Sequence, residues 1–262
     1  EAKVPPPQPD AKVKGGNPVS AKRGVVSIER TTSTGDRRHI CTGFFLNENI
    51  IVTSAHCLPN RSASRRYTIQ YFDPDTGGKR RVTAIDEVLE YRQHPDYTGS
   101  GDAEHDTGIL VRATTWNGTG DADFMRIYHD FGSRIGELRV WGAGVDGFHG
   151  DGAGDLEWAN FDLDWHENDY VITRGSRRQR ICKGDSGGPA VRISDGVDLV
   201  VATNTSGDVG DDDTCACKDC KQRHTRVYNK LSWIRQSAGA ILGRTVTCTS
   251  GTAGGLDFDR CF

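Results

Sequence analysis

No stretch of this chain approaches the ~20 consecutive apolar residues that a bilayer-spanning helix needs, so no membrane is expected among its partners. Charge of one sign is lacking too. The 33 Lys and Arg residues face 36 Asp and Glu, a net charge of −3, so the bulk electrostatics give no reason to expect nucleic acid as a partner. The first residue is Glu1 and not Met, so any signal peptide is expected to have been removed or left out. No histidine cluster accompanies Cys215-Ala216-Cys217. These cysteines therefore read as disulfide partners and not as a metal fragment, and no cofactor is expected.

What the chain has in quantity is glycine, 32 residues of it, with short apolar runs between turn signals. That composition suits an all-β protein better than a helical bundle. A length of 262 residues suffices for one large domain or two small ones with real cores. Eight cysteines, an even number, fit an oxidising compartment and hence a secreted protein. Residues 1–12, with Pro5-Pro6-Pro7 and Pro9, cannot form regular structure and read as a leader. Strand-like segments follow at 25–28, 43–46, 50–52, 67–72, 82–89 and 109–111, broken by turns such as Asp75-Thr76-Gly77-Gly78. A second set lies at 138–141, 156–163, 169–173, 190–193 and 199–203. Over 112–135 the pattern weakens, and the connection between two halves is expected there. Apolar residues at Leu231, Ile234, Ala238 and Ile241-Leu242 give 228–242 a helical period. Beyond it lies an extension, 243–262, which Cys248 and Cys261 could close as a loop. Asn60, Asn117 and Asn204 each begin an Asn-x-Ser/Thr sequon. A glycan on Asn204 would crowd a substrate cleft, so either that asparagine is unmodified or the substrate strand runs in a different register.

Three short motifs carry the chemistry. In Cys182-Lys183-Gly184-Asp185-Ser186-Gly187-Gly188-Pro189 a serine is flanked by glycines, on a backbone that can bend tightly and approach a substrate closely. A free hydroxyl is a poor nucleophile, so such a serine matters only if a base can reach it. One candidate lies upstream in Thr53-Ser54-Ala55-His56-Cys57, after the apolar run Ile50-Ile51-Val52. A third member, Asp106, precedes the run Ile109-Leu110-Val111. The three are 50 and 80 residues apart, so only a folded chain could bring them together.

On these residues the chain resembles the trypsin-like (chymotrypsin-family) serine peptidases, and the order His, Asp, Ser separates it from subtilisins and α/β-hydrolases. The resemblance covers residues 13 to about 242. It implies an all-β fold of two packed six-stranded antiparallel β-barrels with a C-terminal α-helix. The barrels would fall at 13–127 and 128–227 and the helix at 228–242. Ser186 would attack a peptide carbonyl, His56 would take and return its proton, and Asp106 would hold the imidazole. The backbone N–H groups of Gly184 and Ser186 would form the oxyanion hole. The resemblance also bridges Cys41 to Cys57. It pairs Cys182 with a cysteine shortly before Val227-Tyr228, for which Cys220 is the best placed and Cys217 and Cys215 are rivals. Protein or peptide substrates are the implied partners of a monomer. No convincing acidic loop for calcium stands in the first half, so no metal is expected.

The same family is activated by cleavage before an apolar residue, whose new α-amino group buries against the Asp preceding the serine, here Asp185. Cleavage after Lys12 by an activating protease would release Val13 at about the family's spacing from His56, although Lys14 replaces the usual apolar residue. The resemblance further places the base of the primary specificity pocket at Arg180. A second pocket position falls at Arg226, and the substrate-pairing strand runs through Thr205, Ser206 and Gly207. With no Asp at that base, cleavage after Lys or Arg is not expected. Guanidinium groups bind carboxylates through parallel hydrogen bonds, so one reading is a preference for Glu or Asp at P1. In the other, both arginines point away from the pocket, Arg180 merely ending the basic run Arg174, Arg177, Arg178, Arg180, and small or apolar residues are preferred. A non-catalytic binding module on the same fold is the alternative to an enzyme.

Overall fold

A computed structural model describes residues 17–18, 22, 24–31, 34–58, 67–72, 82–99, 102–112, 124–129, 136–144, 156–175, 179–207 and 221–262. A short strand β1 (Asn17–Pro18) is followed by β2 (Val25–Thr31), β3 (Arg37–Phe45), β4 (Ile50–Thr53), β5 (Tyr67–Phe72), β6 (Val82–Gln93) and β7 (Gly108–Arg112). Strands β2 to β7 close into an antiparallel barrel in the order β2-β3-β4-β7-β6-β5. Then come β8 (Arg126–Tyr128), β9 (Glu137–Gly142), β10 (Glu157–His166), β11 (Tyr170–Arg174), β12 (Pro189–Ser194), β13 (Val197–Gly207) and β14 (Lys221–Arg226). Six of these run β12-β9-β10-β11-β14-β13, and pairing of β13 back onto β12 closes a second ring. Among the described residues, two β-barrel-like sheets and one C-terminal α-helix thus make the architecture expected from the resemblance.

The apolar runs of β4 and β7 are continuous because both faces are covered. In an extended strand successive side chains point to opposite sides. Ile51 and Leu110 fill the first barrel, whereas Ile50, Val52, Ile109 and Val111 face the second sheet and pack with Val191, Val200 and the C-terminal helix. All six are fully buried. A separate cluster around Leu138, Val140, Phe161 and Val171 fills the second barrel. The run Ile50-Ile51-Val52 therefore delivers the following turn, with His56, to the seam between barrels. The run from Ile109 to Val111 does the same for Asp106.

Several elements differ from the sequence expectations. Strand β3 begins at Arg37, six residues before the apolar stretch at 43, because its first residues are polar and exposed. Strand β8 lies within the expected connection and pairs parallel with β13. Strand β14, Lys-Gln-Arg-His-Thr-Arg, has no hydrophobic residue, yet Gln222, His224, Thr225 and Arg226 are all buried. A 3-10 turn over Tyr228–Lys230 leads into α1 (Leu231–Leu242), which ends at Gly243 in the left-handed conformation, φ +66°. Among the described residues no helix is long and apolar enough to cross a membrane.

The extension is a hairpin, β15 (Cys248–Ala253) and β16 (Leu256–Cys261), with β16 paired to β8. A Cys248–Cys261 disulfide joins its two ends, and Leu256 and Cys261 are buried. Because the bridge closes a loop of 13 residues, replacing both cysteines by alanine is expected to lower stability by about 3 kcal/mol. The urea midpoint, compared at constant m-value, measures this.

Candidate active site

Asp106 sits two residues before the start of β7 and is 1% exposed. One carboxylate oxygen accepts the backbone N–H of His56 at 2.8 Å, and the other lies 2.7 Å from His56 Nδ1. Since a carboxylate only accepts, Nδ1 carries a proton, and in the neutral ring the lone pair is on Nε2. The ring itself is 34% exposed, so Nε2 is open to a reactant. Gln93 Nε2 donates to the carbonyls of Ala55 and Leu58 and braces the turn on both sides of His56. The Cys41–Cys57 disulfide anchors the same turn. These two sulfurs lie close to His56, but sulfurs in a disulfide are not thiolate ligands.

The loop before Asp106 is electrostatically ordered. Burial alone would raise Asp102, but backbone N–H groups of Thr98 and His105 donate to it and hold it below the usual carboxylate range. Tyr97 is pushed up to about 12, first by burial and then by the nearby Asp106 and Asp102 carboxylates, so its phenol stays neutral. Burial and then Lys230 lower His94, whose ring stacks on His105.

Ser186, half-buried, is on a turn stitched to the first barrel. Its carbonyl accepts from Thr42 N–H at 2.8 Å and lies 3.8 Å from Cys57 Sγ, one residue past His56. Gly187 has φ +82°, and a Cβ there would collide with Thr53 Oγ1 and the Thr42 carbonyl. Gly184 has φ +97° and its carbonyl accepts from Thr42 Oγ1 at 2.9 Å and from His39 Nε2 at 3.1 Å. The ring of His39 is fixed in turn by Ser27 Oγ, 2.7 Å from Nδ1. Asp185 is fully buried, with Gly144 N–H on one oxygen at 2.7 Å and Cys182 N–H on the other at 2.8 Å. The N–H groups of Asp185, Gly187 and Gly188 each find a carbonyl. Among the described residues those of Gly184 and Ser186 find none, and no hydrogen bond joins Ser186 Oγ to His56.

The residues expected around the substrate fall as follows. Arg180 is only 8% exposed, and its Nε and Nη1 have no hydrogen-bond partner among the described residues. Arg226, equally buried, donates Nη1 to the Asn168 carbonyl at 2.8 Å. Thr205 Oγ1 is 2.6 Å from Thr225 Oγ1, which donates to the Ala103 carbonyl on the Asp106 loop. Ser206 and Gly207 end β13 opposite Arg223 and Gln222, after an irregularity in register. Cys182 is buried. Val13, Cys220, Cys215, Cys217, Asn60 and Asn117 lie outside the described residues.

Sequence reasoning missed two polar residues inside the second barrel. Asn204, read as a glycosylation sequon, is fully buried, so a glycan has no room. His224 is fully buried beside it and bonded at both ring nitrogens, with burial lowering its pKa to about 3. A folded-state value below the ordinary 6.5 means stability that is complete above pH 6.5 and is lost as pH falls toward 3. We expect thermal stability to decline through that window, and the decline to be shallower in His224→Gln, as calorimetry at several pH values would read. The sequence signal was a polar residue interrupting or replacing an apolar strand pattern, which hydrophobic periodicity discards.

Two barrels with an Asp-held histidine and a glycine-flanked serine on their seam define a trypsin-like serine endopeptidase. Residues 13–234 match the family model described as Trypsin, and the chain belongs to that family. It is similar to Trypsin zeta of Drosophila melanogaster, 24% identical over 89% of this chain and 87% of the relative. Trypsin alpha of Drosophila erecta is 24% identical over 90% of this chain and 91% of its own length. The Venom peptide isomerase heavy chain of Agelenopsis aperta is 25% identical over 79% and 90%.

Proposed function

We propose that the protein is a secreted serine endopeptidase that works through an acyl-enzyme, with Ser186 as nucleophile, His56 as general base and Asp106 as its orienter. The observation that carries this reading is the two-point clamp of Asp106 on His56, which fixes Nδ1 as a donor and leaves Nε2 as the ring nitrogen that can act as a base, open at the corner where the Ser186 turn packs. Ser186 Oγ attacks the scissile carbonyl carbon while its proton passes to His56 Nε2. The resulting oxyanion takes the two partnerless N–H groups of Gly184 and Ser186. The proton then goes to the leaving amine as the C–N bond breaks, and water, deprotonated by the same nitrogen, releases the acid. Hydrolysis of casein, blocked by a serine-directed fluorophosphonate that labels Ser186, is the expected result. A protein that neither cleaves casein nor takes the label is a binding module on this fold. Two disulfides within the described residues support export to an oxidising compartment.

Two finer properties belong to the same reading. Arg180, buried with two unpartnered nitrogens, favours Glu or Asp at P1, because a carboxylate relieves an uncompensated buried charge. Small or apolar P1 residues are the competing preference. The uncut chain is a zymogen. Cleavage after Lys12 is expected to raise kcat/KM at least tenfold through docking of the new Val13 amine on Asp185. Full activity of protein whose N-terminus still reads Glu1-Ala2-Lys3 would refute it.

A further inference from the structure

Asn204 touches the serine turn on both sides of Ser186. Its backbone N–H donates to the Gly188 carbonyl at 2.8 Å, and its carbonyl accepts from Gly187 N–H at 2.7 Å and from Ser54 Oγ at 2.8 Å. Its side-chain Nδ2 donates to the carbonyls of Trp141 at 2.8 Å and Asp185 at 3.1 Å. Carbonyls only accept, so these two bonds fix which end of the amide is nitrogen. The other end, Oδ1, lies 3.1 Å from His224 Nδ1, which must therefore carry the ring proton. Thr173 Oγ1, 2.8 Å from Nε2, is left as the donor to the remaining lone pair. All three side chains are fully buried, on β13, β14 and β11.

The Asp185 carbonyl belongs to the same peptide group as the Ser186 N–H. In a planar trans peptide the two point in opposite directions. Holding the carbonyl on Asn204 therefore aims the Ser186 N–H the other way, out of the turn. We propose that His224 is a positioning residue for catalysis: locked as the Nδ1–H tautomer between Thr173 and Asn204, it orients the amide that aims the Ser186 N–H at the oxyanion. The proposal rests on the peptidase reading and deepens it, since His224 touches no substrate. Its effect falls on the transition state, where the oxyanion exists, and not on ground-state binding.

The test compares His224→Leu, which leaves Asn204 Oδ1 without a donor, and His224→Gln, which can still supply an N–H. His224→Leu is expected to lower kcat by about 10- to 100-fold, the scale of a misplaced catalytic group, with KM within about twofold. His224→Gln should recover most of the loss. Affinity for a peptide aldehyde, which forms a tetrahedral oxyanion on the serine, should fall in step with kcat. Affinity for the product acid should not. An unchanged kcat and aldehyde affinity in His224→Leu, or equal losses in both variants, would overturn the proposal. If His224→Leu does not fold, nitrogen NMR of the wild-type ring decides: Nδ1–H supports the proposal and Nε2–H overturns it. Fluorophosphonate labelling of Ser186 in the wild type keeps the two readings apart. No labelling sinks the peptidase, whereas a labelled wild type with an unaffected His224→Leu sinks only the positioning role.

Discussion

Ser186→Ala is expected to lower kcat by about a millionfold, the scale for losing the nucleophile of such a constellation, and to abolish fluorophosphonate labelling. Stability should hardly move. The groups that hold this turn are backbone atoms and neighbouring side chains: the Ser186 carbonyl on Thr42, Gly187 N–H on Asn204, and the Asp185 carboxylate on Gly144 and Cys182. The hydroxyl makes no hydrogen bond among the described residues, so its removal should change stability by about 0.5 kcal/mol or less. Activity and thermal melting measured on one preparation would check both halves. A variant that keeps labelling and turnover would end the assignment of Ser186, whatever its stability.

Arg180→Met is the second large effect, and it combines two opposite signs. Losing one partner of a desolvated charge pair costs about 2–5 kcal/mol, so kcat/KM on Glu and Asp reporter substrates should fall roughly 30- to 3,000-fold. Leu and Ala reporters should be little affected. Stability should rise, by about 1–4 kcal/mol, because Met fills similar space without burying a guanidinium two of whose nitrogens lack partners among the described residues. Side-by-side kcat/KM values for Glu, Asp, Leu, Ala and Arg reporters, with a thermal melt, test both. Wild-type cleavage after Arg would defeat the charge argument, and a Glu preference that survives in Arg180→Met would move the anion site elsewhere. Arg226 makes the weaker case, because its Nη1 already donates to the Asn168 carbonyl.

Much of the fold was legible where one rule of burial governs a segment. The runs Ile50-Ile51-Val52 and Ile109-Leu110-Val111 read as strands because both faces are buried, and they are β4 and β7. The period of Leu231, Ile234 and Ala238 read as a helix because one stripe packs on the core, and those three residues, with Ser237, are its buried face. Strand β14 escaped detection because hydrogen bonds, not apolar contacts, compensate its burial. Gln222 Oε1 accepts from Ile181 N–H, His224 bonds Thr173 and Asn204, and Thr225 reaches Ala103. Nothing local in Lys-Gln-Arg-His-Thr-Arg reveals such partners. The extension read only as a loop that Cys248 and Cys261 could close, and not as strands, since it carries Thr, Ser, Gly and Asp. It becomes a hairpin through pairing with β8 and the Cys248–Cys261 bridge.

Taken alone, the sequence determined the trypsin-like family and the three short motifs, because reactive groups and glycine-dependent turns are set by residue type and neighbours in the chain. It also marked Cys41 and Cys57 as a pair, through the resemblance. Only the tertiary structure decided which nitrogen of His56 faces Asp106 and, among the described residues, that the N–H groups of Gly184 and Ser186 lack acceptors and that Arg180 is buried with two unpartnered nitrogens. It also turned Asn204 from a glycosylation sequon into the buried hub of the serine turn. The reason is directional. A hydrogen bond's donor, acceptor and solvent exclusion depend on atoms brought together from distant positions, 150 residues apart for Ser54 and Asn204, and no local pattern encodes that encounter.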